Sequence, residues 1–150
     1  MPNLTVDEVL KWAIEREDNA YKVYSRIINK IEDPGAKAMI SQLAEEELRH
    51  KTALQGLDRS KLKDVHPQKI QDLKIAEYLK NRTLTEASNL QDVLVFAMKQ
   101  EKEAHEFYAK LATVINDPEV KNLLELLAQE ELRHKRDVEA FYDDVIYQED

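Results

Sequence analysis

The chain has 150 residues, a formal net charge of −8 at pH 7, two Gly, four Pro and no Cys. This length allows one domain with a substantial core, and the scarcity of Gly and Pro beside abundant Ala, Leu, Glu and Lys favours helices. The absence of Cys excludes disulfides, thiolate metal sites, iron–sulfur clusters and thiol catalysis, and the negative charge argues against a nucleic acid or an anionic membrane as partner.

Charged residues interrupt every apolar stretch, and the sequence becomes polar within a few positions of its start. A transmembrane helix needs about 20 consecutive apolar residues, and a signal peptide needs a shorter apolar core near its start. The sequence shows neither pattern. We therefore expect no interaction with a membrane and a cytoplasmic location.

Residues 5–58 are predicted to form a helical hairpin. Thr5 and Glu8 have the spacing of a capping box at the start of a first helix. Asp33-Pro34 is expected to separate two helices, because Asp is a favoured N-cap and Pro a favoured first helical residue. Apolar residues recur at steps of three and four along both helices, as in core-facing stripes: Leu10, Ala13, Ile14, Ala20, Tyr24, Ile27, Ile28 and Ile31, then Ile40, Leu43, Leu54 and Leu57.

Residues 59–88 break this rhythm and form a long, charged crossover. Its apolar residues predict a short helix from about Lys69 to Leu79 that covers an edge of the fold. Ser88 and Gln91 have the spacing of a second capping box, which predicts the start of the next helix.

Residues 89–146 repeat the first hairpin at a constant offset of 84 residues, with 18 identities in the 43 positions from Val9 to Lys51. The block Glu46–Lys51 recurs unchanged as Glu130–Lys135, and Asp33-Pro34 recurs as Asp117-Pro118. These matches indicate an internal duplication of a helical hairpin.

The short turns make the two helices of each hairpin antiparallel neighbours. The crossover is long enough to run back along the molecule, so the third long helix should start at the end where the second started. The predicted fold is all-α: a four-helix bundle of two duplicated hairpins, joined by one long crossover with a short helix, as a single domain over residues 1–150.

Each long helix carries one Glu inside its apolar stripe. These residues are Glu17, Glu47, Glu101 and Glu131. Four carboxylates in one bundle interior cannot all stay ionised unaided, because burying each ion costs several kcal/mol. Two divalent cations would balance their four negative charges.

His50 and His134 lie three residues after Glu47 and Glu131, a spacing that places each pair on one helix face. A neutral imidazole completes a coordination shell without adding charge. Carboxylate oxygen with imidazole nitrogen suits iron or manganese, and zinc also fits. Together the six residues predict a site for two metal ions.

The alternative is that these acidic runs, which include Glu45, Glu46 and Glu130, are solvated helix faces. Glu17 and Glu101 favour the metal site, because they interrupt otherwise apolar stripes at equivalent positions.

Tyr24 and Tyr108 lie seven residues, about two helical turns, after Glu17 and Glu101. As core aromatics their hydroxyls need partners. Hydrogen bonds to the carboxylates of the metal ligands would satisfy them and tune the centre.

Through these motifs the chain resembles the rubrerythrin and ferritin-like di-iron family over nearly its whole length. The resemblance rests on two copies of one pattern and two Glu-Leu-Arg-His blocks: Glu17-x-x-Ala20-x-x-x-Tyr24 and Glu101-x-x-Ala104-x-x-x-Tyr108, with Glu47 to His50 and Glu131 to His134. It implies a ferritin-like bundle with two irons. Glu17 and Glu101 would be ligands on the first helix of each hairpin, the Glu/His pairs ligands on the second, and some carboxylates would bridge.

Two departures from the family pattern affect function. Rubrerythrins proper carry a rubredoxin domain with four Cys, whereas this chain has no Cys. It therefore looks more like the short, rubredoxin-free members of the family. Such a protein needs an external reductant, for example a rubredoxin-like protein. Rubrerythrins also have an additional Glu three residues after the ligand on the third helix, and Ala104 stands there. Its absence makes the site look more symmetric.

The resemblance implies a di-iron oxidoreductase that reduces peroxide or dioxygen with an external electron donor. It also implies a homodimer. Two alternatives remain open at this point: a ferritin-like module that binds, oxidises and stores iron, and a non-catalytic metal-binding helical bundle that serves a partner.

Overall fold

The computed structural model describes residues 5–78, 83–84 and 88–146, which contain five α-helices: α1 (Val6–Ile27), α2 (Pro34–Gln55), α3 (Pro67–Asp72), α4 (Leu90–Ala112) and α5 (Pro118–Ile146). No strand occurs in these described ranges. The four long helices pack as a bundle, and α3 lies in the crossover. The predicted all-α four-helix bundle is therefore confirmed.

Each long helix is preceded by a polar residue whose side chain accepts a hydrogen bond from a backbone N–H three positions later, as N-caps do. The four caps are Thr5, Asp33, Asn89 and Asp117. The capping box predicted at Ser88 and Gln91 is wrong by one residue. Asn89 is the cap, and the Asp92 carboxylate accepts from the Asn89 N–H at 3.2 Å, which closes the box there.

The helices of each hairpin run antiparallel, and α4 starts beside the end of α1, as the length of the crossover predicts. Ile27 at the end of α1 and Val93 at the start of α4 lie in the same apolar cluster. A second apolar cluster fills the opposite half of the bundle, where Leu62, Ile70 and Ile75 of the crossover cover it. The two clusters leave a layer of buried polar side chains between them.

The crossover differs from its prediction. Instead of one helix from Lys69 to Leu79, α3 ends at Asp72 and a 3₁₀ turn follows at Ile75–Tyr78. Lys74 between them has a φ of 54°, which ends the right-handed helix. Residues five apart point about 140° apart on a continuous helix, so this break allows both Ile70 and Ile75 to be buried. Leu79 lies outside the described residues.

None of the helices in the part of the chain that the structure describes is long and apolar enough to cross a membrane.

Candidate metal centre

The structure brings all six predicted ligand residues into the polar layer between the two apolar clusters. Each is at most 3% exposed: Glu17 on α1, Glu47 and His50 on α2, Glu101 on α4, and Glu131 and His134 on α5. All four long helices therefore contribute at least one side chain, and the Glu-x-x-His spacing of α2 and α5 keeps each pair on the inner face.

The six side chains form two overlapping groups of four. One group is Glu17, Glu47, His50 and Glu131, and the other is Glu47, Glu101, Glu131 and His134. Within each group, one potential ligand atom of every residue lies within 4.8 Å of the others. Because both groups contain Glu47 and Glu131, these two carboxylates are placed to bridge two neighbouring cations.

Besides Nε2 of His134, which faces Glu46, eight buried atoms of these six residues lack a hydrogen-bond partner: Glu17 Oε2, both carboxylate oxygens of Glu47 and of Glu131, Glu101 Oε2, and Nδ1 of His50 and of His134. Buried polar atoms are nearly always hydrogen-bonded, so eight exceptions in one place need an explanation. All eight are oxygen or imidazole nitrogen atoms of the kinds that bind iron, manganese or zinc. The donor set fits a pair of divalent metals.

The electrostatics of the cluster favour cations. Burial, followed by repulsion from the neighbouring carboxylates, raises the pKa of Glu47 and of Glu131 well above the ordinary value. Burial also raises the pKa of Glu101, but its contacts with Glu131 and His134 outweigh that effect and lower it to about 2. Burial and mutual repulsion therefore make Glu47 and Glu131 easier to protonate than an ordinary Glu, whereas Glu101 favours its ionised form.

The two predicted tyrosines reach across from one hairpin to the other. The Tyr24 hydroxyl of α1 donates to Glu101 Oε1 of α4 at 3.0 Å, and the Tyr108 hydroxyl of α4 donates to Glu17 Oε1 of α1. Burial and the nearby carboxylates raise the pKa of both phenols well above 10, so both remain donors at neutral pH. Each bond occupies one carboxylate oxygen and leaves the other, Oε2, facing the cluster.

The model of the rubrerythrin family matches residues 8–142. The chain belongs to the rubrerythrin family. Comparisons with curated proteins and with solved structures found no match. Rubrerythrin membership agrees with the geometry of the cluster, since this family suggests di-iron binding and the buried carboxylates and imidazoles form a site that can hold metal.

Within this rubrerythrin fold, Ala104 is buried in the apolar cluster that includes Phe107 and Leu111. It contributes no ligand atom at the position where rubrerythrins have an additional Glu. The two groups of four thus offer matching potential donors, one Glu and one His of their own and two carboxylates in common.

Sequence reasoning missed two further carboxylates that touch the rubrerythrin centre, Glu46 and Glu130. Glu46 belongs to an acidic run that is compatible with a solvated helix face, but the structure buries it and places it in contact with His134 Nε2. Glu130 Oε2 lies 2.6 Å from His50 Nε2. A signal was available, because the duplicated block repeats both glutamates before each Leu-Arg-His.

It also missed Arg16, which is buried at the α1–α4 interface. One of its terminal nitrogens, Nη2, donates to the Gln100 carbonyl at 3.2 Å and lies 3.5 Å from Glu103 Oε2. The position equivalent to Arg16 in the second hairpin is Gln100 itself. The two halves differ here, so the duplication carries no signal for this residue.

Proposed function

We propose that this protein is a di-iron oxidoreductase that reduces peroxide or dioxygen with electrons from an external donor. The observation that carries the proposal is the pair of overlapping four-residue groups that share Glu47 and Glu131, in a chain of the rubrerythrin family. Two divalent cations would balance the charges of the four glutamates in these groups and offset the cost of burying them together.

In the proposed centre each metal position has its own terminal ligands. Glu17 and His50 complete one position, Glu101 and His134 complete the other, and Glu47 and Glu131 belong to both. We propose iron at both positions from the family, and manganese or zinc also fits the donor set. With iron bound, the centre supplies two electrons and polarises the O–O bond, so that one peroxide and two protons give two waters.

The residues of the chain hold this centre and shield it. Tyr24 and Tyr108 fix one oxygen of Glu101 and of Glu17, so each of these carboxylates presents its second oxygen in a set direction. The apolar clusters on both sides keep bulk water from the carboxylates.

Electrons must come from outside the chain, because its sequence has no Cys for an iron–sulfur or rubredoxin-type centre. We propose a separate reductant, for example a rubredoxin-like protein. We also propose, on the basis of the family, that the protein is a homodimer. We further propose that it acts in the cytoplasm, and its acidic composition argues against a nucleic acid or membrane partner.

Stopped-flow mixing tests this function directly. The protein is loaded with Fe(II) without air and mixed with peroxide, and the oxidation of iron is followed by absorbance. We expect oxidation to be faster by at least about a hundredfold than in the double variant Glu47→Ala/Glu131→Ala, because the loss of both shared carboxylates removes both metal positions.

Glu45→Ala is the matched control, since Glu45 is an exposed residue of the same acidic run. It should oxidise iron as fast as the unmodified protein. Equal rates in the unmodified protein and the double variant would rule out the proposed activity.

A further inference from the structure

Arg16 is a charged side chain in the interior of the bundle that the proposed metal centre does not use. It is 2% exposed, and its Nη2 donates to the Gln100 carbonyl of α4 at 3.2 Å. Its Nε and Nη1 are buried without a hydrogen-bond partner. Arg16 directly precedes Glu17 on α1, and the carbonyl that it contacts directly precedes Glu101 on α4. The guanidinium is therefore held beside the backbone of two candidate metal ligands.

A guanidinium in this position is costly for stability. Arginine stays protonated in proteins, so burial cannot remove its charge. The carboxylate that it approaches, Glu103 Oε2, lies 3.5 Å from Nη2 and belongs to a side chain that is 25% exposed. The two unpaired buried donors add to the cost. Because apolar replacements of buried ion pairs are often neutral or stabilising, packing alone does not explain why a charge stands here.

The second hairpin has no matching charge. The residue equivalent to Arg16 is Gln100, which is also 2% exposed. All six candidate metal ligands occur in both hairpins, whereas Arg16 is the single buried arginine or lysine among the residues that the structure describes. A neutral side chain therefore fits this position of the hairpin, and the distinguishing property of Arg16 is its positive charge.

The charge of Arg16 reaches the carboxylate cluster. Burial and the charge of Glu101 raise the pKa of Glu131, and the charge of Arg16 acts on that pKa in the opposite direction. Charges interact strongly in an interior of low effective dielectric constant and weakly across salt-containing solvent. Since the polar layer lies between two apolar clusters, a positive charge at Arg16 acts on any cation that binds among the glutamates.

We propose that Arg16 is an electrostatic control on the metal pair, which weakens the binding of cations and favours their divalent, reduced state over the oxidised state. Two divalent cations balance the four glutamates of the cluster, and Arg16 adds one positive charge to this balanced set. Oxidation of the pair adds further positive charge, which Arg16 opposes. When an external donor returns two electrons, two Fe(III) become two Fe(II), the donor is oxidised, and this repulsion is relieved.

This inference deepens the proposed function and rests on it. The chain has no Cys to hold an electron-transfer cluster, so the proposed centre is reduced by a separate donor. A buried positive charge raises the reduction potential of the centre, which allows a weaker reductant to restore it. The same charge makes each cation bind less tightly, and this second effect can be measured without any electron transfer.

Zinc affinity, measured by competition with a chelator, tests the effect of the charge without redox chemistry. We expect Arg16→Gln to bind zinc at least about tenfold more tightly than the unmodified protein, because a repulsive charge is removed. A purely structural role of Arg16 predicts the opposite sign, since looser helix packing weakens a preformed site. Arg16→Lys keeps the charge, so its zinc affinity should stay within about threefold of that of the unmodified protein.

Lys22→Gln is the matched control, because Lys22 lies on the same helix and its side chain is 72% exposed. It removes the same charge from a solvated position and should change the zinc affinity by less than about twofold. Arg16→Met is a second neutral variant with an adaptable, unbranched side chain, and it should bind zinc as tightly as Arg16→Gln does. Circular dichroism of the metal-free proteins checks that each variant folds.

The reduction potential of the iron-loaded protein is the second readout, measured by an anaerobic redox titration that is followed by absorbance. We expect a lower potential in both neutral variants, Arg16→Gln and Arg16→Met. The equilibrium constant for one-electron reduction by a given donor should fall by at least about tenfold, which corresponds to a shift of about 59 mV. Arg16→Lys and Lys22→Gln should keep a potential close to that of the unmodified protein.

The proposal is overturned if zinc binding is weaker or unchanged in both neutral variants, or if their reduction potential is unchanged or higher. Failure of the unmodified protein to bind zinc would overturn the metal site on which this inference rests. Failure of the peroxide experiment alone, with the affinities and potentials as expected, would leave the role of Arg16 intact and contradict only the proposed activity.

Discussion

At the scale of single residues, the hydroxyls of Tyr24 and Tyr108 are expected to matter for stability even without metal. Each donates to a buried carboxylate of the opposite hairpin. Removal of one partner leaves a buried acceptor less satisfied, which typically costs about 1–3 kcal/mol. We predict that Tyr24→Phe and Tyr108→Phe each lower the free energy of unfolding of the metal-free protein by an amount in this range, measured by urea denaturation.

Tyr142→Phe is the control for this prediction. Its hydroxyl accepts from Gln91 Nε2 at 3.2 Å at the surface, away from the cluster. Such a surface change should alter the free energy of unfolding by less than about 0.5 kcal/mol. If the buried and surface variants lose the same stability, the bonds to Glu101 and Glu17 do not have the importance assigned to them.

The residue scale also shows where sequence reasoning stops. Glu17 and Glu101 could be recognised because a charge inside an apolar stripe is unusual, and the structure buries both. Helix spacing alone does not separate Glu46 from Glu45 in the acidic run before Leu48. The duplication does, because Glu46 is repeated as Glu130 whereas Glu45 corresponds to Gln129, but only the tertiary contact with His134 places Glu46 at the cluster. Arg16 could not be recognised because its environment is formed by Gln100 and Glu103, which lie 84 and 87 residues away in sequence.

At the scale of helices, the two Asp-Pro turns are expected to make similar contributions to stability. Asp33 accepts from the Ala36 N–H at 2.8 Å, and Asp117 accepts from the Val120 N–H at 3.0 Å. Loss of such a cap costs about 0.5–2 kcal/mol. We predict that Asp33→Ala and Asp117→Ala each lower the free energy of unfolding by that amount in urea denaturation of the metal-free protein.

Asn is as good an N-cap as Asp, so Asp33→Asn serves as the matched control and should retain most of the stability. If Asp33→Asn were as destabilising as Asp33→Ala, the contribution would come from charge and not from the cap.

The long helices and their order were predictable because local signals agreed: Asp-Pro boundaries, apolar periodicity and the duplication. The crossover was less predictable. The apolar spacing of the crossover fits a continuous helix through Lys74 about as well as the broken helix that is observed. The break is favoured because it allows Ile70 and Ile75 to be buried in the same apolar cluster. The cap at Asn89 instead of Ser88 is a difference of one residue between two good N-cap types.

At the scale of the whole molecule, the metal-free bundle holds a destabilising group of carboxylates in its centre. Folding raises the pKa of Glu47 and Glu131 above the ordinary value of about 4.5. The protonated carboxyls therefore contribute to the free energy of unfolding at low pH, and this contribution is lost as the pH rises through the raised pKa values. Burial lowers the pKa of His134, but its contact with Glu101 raises it overall, so its contribution is also lost as the pH rises. Glu101, with a pKa of about 2, adds no change above pH 5.

We therefore predict that these groups make the metal-free protein less stable at pH 8 than at pH 5.5. Manganese(II) would compete with protons for Glu47 and Glu131, so the increase in melting temperature on adding it should be larger at pH 8. Thermal unfolding followed by circular dichroism, with and without the metal, measures both effects. An increase that is the same at both pH values, or that persists in Glu47→Ala/Glu131→Ala, would contradict this prediction.

The most direct test of the account is the number of metal ions that the cluster binds. Anaerobic titration of the metal-free protein with Fe(II), followed by removal of unbound iron and metal analysis, should give two ions per chain for the unmodified protein. Glu17→Ala, which alters one group of four, should retain one tightly bound ion, and Glu47→Ala/Glu131→Ala should retain none. A stoichiometry of two that is unchanged in the double variant, or no bound iron in the unmodified protein, would contradict the central claim that four helices build one shared site for two metals.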